Sequence, residues 1–215
     1  YKAPATGAGA TTILFMLDKS GSMNFTDYPN ITYDRQDCPS RNNDAGGFSY
    51  KKAGSVVTHT FGDSDWYGTK TLSYSECIRG TTKWSHHWFY GWESSFDSEI
   101  DRQSTRLVQL KIGLLQLLLG DKSDPNNIIE PLSPDLYIGL AVFSGSKGQK
   151  IQDVKKLDNT HRANLVQTIM DLTATGGTPT PYAYAEAAAI LMGTKTGGGN
   201  YSNSSTDYSK PVSIA

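Results

Sequence analysis

The sequence predicts an α/β fold: a doubly wound, mostly parallel sheet with helices on both faces, interrupted by a large loop-and-strand insertion after the first strand. Three observations carry this. Residues Thr11 to Leu17 (TTILFML) form a short β-branched and apolar run, the pattern of a strand buried on both faces. After it, the patterns follow in the order strand, helix, strand, strand, helix, helix, which builds a sheet covered by helices. Between the first strand and the first helix lies a stretch of wholly different composition.

The first strand ends in a polar turn, Asp18-Lys19-Ser20-Gly21-Ser22-Met23. Residues 24–100 are rich in Asn, Asp, Ser, Gly, Tyr and Trp, and all four tryptophans (Trp66, Trp84, Trp88, Trp92) fall here. No helical period is sustained, and turn signals recur at Asn43-Asp44, Gly46-Gly47 and Gly62-Asp63. This reads as an inserted subdomain of loops and short strands such as Ser55 to Phe61, because a structureless loop of that length does not suit a compact domain. Helical spacing returns with Leu107, Leu110, Leu114 and Leu118, beside a second row at Val108, Ile112, Leu115 and Leu119, and Gly120 is the stop signal. Leu136 to Phe143 (LYIGLAVF) is a second buried strand, and the alternation in Lys150 to Lys155 marks an edge strand. Thr160 is the expected cap of a helix carrying Leu165, Val166, Ile169 and Met170. The turn Gly176-Gly177-Thr178-Pro179-Thr180 precedes an alanine-rich helix, with Pro181 at its first position and Thr180 as its cap. The domain core is thus 1–23 with 101–196, the insertion is 24–100, and 197–215 is a flexible Gly/Ser/Asn-rich segment.

Composition narrows the functions. A chain of 215 residues suits one domain with an insertion. A formal net charge of −1 supplies no field to attract nucleic acid. The longest apolar stretch, Leu107 to Leu119, is broken by Gln109, Lys111 and Gln116, so no membrane span and no direct membrane insertion are expected. Cys38 and Cys77 both lie in the insertion; one disulfide in an oxidising compartment is the expectation, and two free thiols of a cytosolic protein the alternative.

Asp18, Ser20 and Ser22 bring a carboxylate and two hydroxyls into one turn, with Gly21 allowing the chain to fold back. Thr178 offers another hydroxyl from a second glycine turn. Oxygen donors alone suit a hard cation: Mg²⁺ first, with Mn²⁺ or Ca²⁺ as alternatives. Taken alone, an Asp-x-Ser-x-Ser turn is equally helix-cap chemistry.

Ile13 to Met23 (ILFMLDKSGSM) resembles the metal-ion-dependent adhesion site of von Willebrand factor A domains, and Gly176-Gly177-Thr178-Pro179 is similar to that family's second metal loop. The resemblance covers about residues 10–23 and 104–196. It implies a Rossmann-like sheet and metal ligation by Asp18, Ser20, Ser22 and Thr178. Within the family the wording is most similar to the tip adhesins of Gram-negative type IV pili, the PilC/PilY group. That implies an extracellular, cell-surface or pilus-tip adhesion module. Its implied partners are minor pilins at the pilus tip and a host-cell or surface ligand with an acidic group. A Gram-positive pilus tip adhesin, or an assembly module partnering an intracellular ATPase, are the alternatives. The sequence departs from the family in having no Thr-Asp-Gly turn, so the sheet is expected to be incomplete at its C-terminus.

Other constellations are weaker. His86 and His87 with His59 have no metal-ligand spacing, and Asp121, Asp124 and Asn126 lack the later Glu of a calcium loop. The tryptophans are read either as a binding face or as the insertion's own core around the disulfide. No nucleophile–base–orienter set and no phosphate loop is visible, so no enzymatic activity is expected.

Overall fold

A computed structural model describes residues 11–27, 38, 48–145 and 147–194. The elements are β1 (Thr12–Asp18), a 3₁₀ turn (Gly21–Asn24), β2 (Phe48–Lys52), β3 (Val57–Asp63), β4 (Gly68–Tyr74), β5 (Cys77–His87) and β6 (Gly91–Gln103). They continue with α1 (Arg106–Leu119), β7 (Tyr137–Ser144), β8 (Lys147–Lys156), α2 (Asn159–Met170) and α3 (Thr180–Met192). Two compact units divide the chain. Unit 1 takes 1–21, 61–70 and 114–215; unit 2 takes 22–60 and 71–113. Residues 61–70, inside the stretch read as an insertion, therefore belong with unit 1.

Unit 1 holds a sheet of order β1-β7-β8. β1 pairs with β7 in parallel from Thr12 opposite Tyr137 to Asp18 opposite Phe143. β8 returns antiparallel to β7. The link between Ser144 and Lys147 is too short for a crossover helix, so only a hairpin can form there. Ile138, Leu140 and Ala141 are fully buried in β7, the consequence of its continuous apolar run. On one face Ala141 packs with Ala189 and Ile190 of α3 and with Leu14 and Met16 of β1. Small alanine side chains let that helix approach the sheet closely.

Polar groups fasten the other elements. His161 of α2 donates through Nε2 to the Ile138 carbonyl (2.7 Å), which fixes the tautomer because a carbonyl can only accept. The fully buried Arg162 donates to the carbonyls of Leu118 and Leu132 and stacks on Tyr67, and burial lowers its pKa. It thereby satisfies a terminal carbonyl of α1, where a cation suits the helix dipole. The cap of α2 is Asp158, whose carboxylate accepts from His161 N (2.7 Å); Thr160 lies already within the first turn. The cap position of α3 falls on Pro179, without a side-chain cap, and Thr180 is helical.

Unit 2 is mostly strand, with residues 106–113 of α1. β2, β5 and β6 form an antiparallel sheet of order β2-β5-β6; β3 pairs with β4, each of these two strands belonging in part to either unit. Cys38 and Cys77 form a disulfide. Their sulfurs are buried with Tyr50, and Phe48 packs against them.

A doubly wound, mostly parallel sheet with helices on both faces does not form. Among the described residues there are three helices and three small sheets, and β1–β7 is parallel whereas β2–β5, β5–β6 and β7–β8 are antiparallel. The chain is mixed α/β and strand-rich. The excess of strand comes from residues 48–103, whose alternation of polar with aromatic side chains lacks the apolar period that marks a strand against a core. The expected flexible segment 197–215 lies outside the described residues.

The Cys38–Cys77 bridge spans 39 positions, and a loop of that length restrains the unfolded chain by about 4 kcal/mol. Replacing both cysteines by serine should destabilise unit 2 by an amount of that order. Hydrogen exchange should then speed up in β2 and β5 while the β1–β7 amides keep their protection. Equal loss of protection in both units would contradict the assignment of the bridge to unit 2.

Candidate metal centre

Unit 1 gathers three loops at the carboxyl ends of β1 and β7. The first is the turn after β1, the second the β7–β8 hairpin turn, the third the glycine turn before α3. Backbone hydrogen bonds lace them together. Lys19 N donates to Phe143 O (3.1 Å), Thr175 N to Lys19 O (2.7 Å), Gly21 N to Gly176 O (2.8 Å) and Gly145 N to Gly177 O (3.1 Å). Two sequence-distant turns, 18–21 and 175–178, are thereby one structure.

Asp18 ends β1, and its Oδ1 accepts the Ser20 N–H at 2.7 Å, an Asx turn that holds the carboxylate over the loop. A carboxylate retains further lone pairs after accepting one such bond. Ser20 is buried (1% exposed), Asp18 is half-buried and Thr178 is exposed. Asp18, Ser20 and the Thr178 turn are thus brought to one loop cluster of unit 1. Ser22 is half-buried in the 3₁₀ turn and stands first in unit 2. The donors are a carboxylate and hydroxyls, a set that fits a hard divalent cation and not a soft one. Among the described residues no three or more His, Cys, Asp or Glu side chains group together, and the histidines and the Asp121–Asn126 loop build no such cluster. Asp121 Oδ1 instead accepts from Ser123 N (2.8 Å), and Asp124 Oδ1 from Asn126 N (2.9 Å).

Sequence reasoning passed over Glu186. This carboxylate is fully buried in α3, with its Cβ against Gly148 of β8, and it is engaged by a neighbour. A lone acid in the run YAYAEAAAI was its signal, since a buried charge needs a partner.

The tryptophans separate. Trp66 belongs to unit 1, where its ring lies against Gly120 and under Lys122 Nζ (4.3 Å from the ring centroid). Lys122 also pairs with Asp63 (2.9 Å), whose carboxyl the Asp65 N–H and Lys122 hold below the usual range. Trp84, Trp88 and Trp92 belong to unit 2 and are 53%, 84% and 70% exposed, so they do not form the core around the disulfide.

Comparison with protein-family models, with curated proteins and with solved structures finds no match to this chain. The functional reading therefore stands on the loop cluster and its residues.

Gly176 is the residue the lacing depends on. Its φ is +79°, and a Cβ there would lie 2.7 Å from Gly145 N. Gly176→Ala should cost about 1–3 kcal/mol in thermal or denaturant unfolding. Gly177→Ala, with its nearest clash at 3.1 Å and no left-handed backbone, should cost less. Equal effects of the two substitutions would contradict the described loop.

Proposed function

We propose that this chain is an extracellular adhesion module of the von Willebrand factor A type, most similar to type IV pilus tip adhesins. It binds a divalent metal, Mg²⁺ by preference, through Asp18, Ser20 and Thr178. The carrying observation is the pair of bonds Gly21 N to Gly176 O and Thr175 N to Lys19 O, which hold the two candidate metal loops against each other. The proposal rests on this loop cluster alone, because the doubly wound sheet that the resemblance implies does not form.

A bound ion there supplies Lewis acidity toward an acidic group of a partner. The residues do the rest. Asp18 provides the one carboxylate of the set, its position fixed by the Ser20 amide. Ser20 is held in the buried base of the turn, and Thr178 is on the exposed side. Few charged ligands leave an ion able to attract a further carboxylate, which is the chemistry of adhesion to an acidic group. The Cys38–Cys77 disulfide supports an oxidising compartment and weighs against the intracellular assembly module. No helix among the described residues is long and apolar enough to cross a membrane. Minor pilins, a host-cell ligand or a surface ligand with an acidic group are the partners this reading proposes.

Calorimetric titration with Mg²⁺, Mn²⁺ and Ca²⁺ tests it. Wild type should bind at least one of the ions, and Asp18→Ala should abolish that binding with unchanged circular dichroism. Thr178→Ala should weaken it by about tenfold, the loss of one neutral oxygen ligand. Undiminished binding by Asp18→Ala, or none by the wild type, refutes the site.

A further inference from the structure

β5 and β6 form a long hairpin, of 11 and 13 residues, closed by the turn Trp88-Phe89-Tyr90. Tyr90 N donates to His87 O, and Gly91 follows with φ +78°, the left-handed residue that a three-residue hairpin loop requires. The three turn residues are 84%, 93% and 90% exposed. Trp92 lies opposite His86 and meets it edge to face, so the flanking Trp92 and Trp84 share one face of the ribbon. Three consecutive aromatic rings in water at the end of a finger constitute a patch that folded domains rarely leave bare without use.

We propose that this hairpin tip seats in the interfacial layer of a phospholipid bilayer. The chemistry favours lipid over a protein groove or a glycan. Trp and Tyr combine an apolar ring with a hydrogen-bonding edge, the composition found at the headgroup level of membranes. The hairpin is most exposed at its turn, where three rings in succession stand in water, so it suits a medium that yields around it better than a pocket built to fit. A glycan-stacking platform would instead put its largest exposure on the flat ribbon face. Charge agrees: between Lys83 and Trp92 there are one lysine and two histidines and no acid, with acidic residues resuming at Glu93. Lys83, His86 and His87 are exposed, beside the rings, where phosphate groups would lie. This is shallow interfacial seating. The expectation of no direct membrane insertion rested on the lack of a spanning segment, which such shallow seating does not require.

The test is cosedimentation of the full 215-residue chain with extruded vesicles of phosphatidylcholine, or of phosphatidylcholine with phosphatidylglycerol, read together with tryptophan emission. Wild type should sediment with vesicles and shift its emission to the blue. The triple variant Trp88→Ser, Phe89→Ser, Tyr90→Ser should bind about tenfold more weakly or less, with an unchanged circular dichroism spectrum. Trp88→Phe should still sediment. Tip-dependent binding confined to the phosphatidylglycerol vesicles supports the proposal and assigns the anionic headgroup as the contact. Wild type left in the supernatant with both lipids overturns it, as does equal sedimentation of the triple variant, and as does tip-dependent binding to a glycan array with none to vesicles.

Discussion

The parallel register of β1 against β7, from Thr12 opposite Tyr137 to Asp18 opposite Phe143, decides where the chemistry of unit 1 is placed. Parallel strands end on the same side, so Asp18 and Ser144 leave the sheet together. Lys19 N continues the ladder by one more bond, to Phe143 O, and only then does the chain turn. A shift of one residue would move Asp18 off the end of the strand and reverse which face Leu14 and Met16 offer to α3. Burial of Ile138, Leu140 and Ala141 makes such a slip costly, and the core thereby sets the position of a surface turn.

The glycine turn before α3 has no side chain in the core, and it is located by the first turn. Thr175 N and Gly176 O bond to Lys19 O and Gly21 N, while Gly177 O receives Gly145 N. Helix α3 is then anchored from below by Ala189 and Ile190. Backbone bonds above and alanine packing below hold the backbone of the 175–178 turn against the turn that carries Asp18 and Ser20. Preorganisation of this kind is what a weakly charged oxygen site needs, since it cannot rely on several carboxylates to gather round an ion.

Unit 1 was legible in the sequence where burial is continuous or periodic. LYIGLAVF matches the buried β7, the leucine rows match α1, and KIQDVK lies within the edge strand β8. TTILFML matches β1 in position and in its parallel pairing, but β1 stands at the other end of the sheet and only Leu17 in it is buried. The overall architecture was not legible. A buried strand reads alike whether its neighbour runs parallel or antiparallel, and the two-residue link at Gly145 escaped notice as the feature that turns β8 back. The β5–β6 hairpin was hidden because neither face of its outer half meets a core; Trp84, His86 and Trp92 are all exposed, so no apolar alternation marks it. Trp66 could not be told from the other tryptophans, since composition does not say that residues 61–70 belong to unit 1. The metal motif was readable by residue type, but its coherence depends on backbone bonds between positions more than 150 residues apart, which no local pattern encodes.

The loop cluster is tested most directly by anomalous diffraction from crystals of the full chain soaked in Mn²⁺, collected at the manganese edge. The account predicts a peak within about 2.5 Å of side-chain oxygens of Asp18, Ser20 and Thr178. A strong peak at the histidines of β5 or at the Asp121–Asn126 loop, or none at the β1 turn at saturating Mn²⁺, would contradict it.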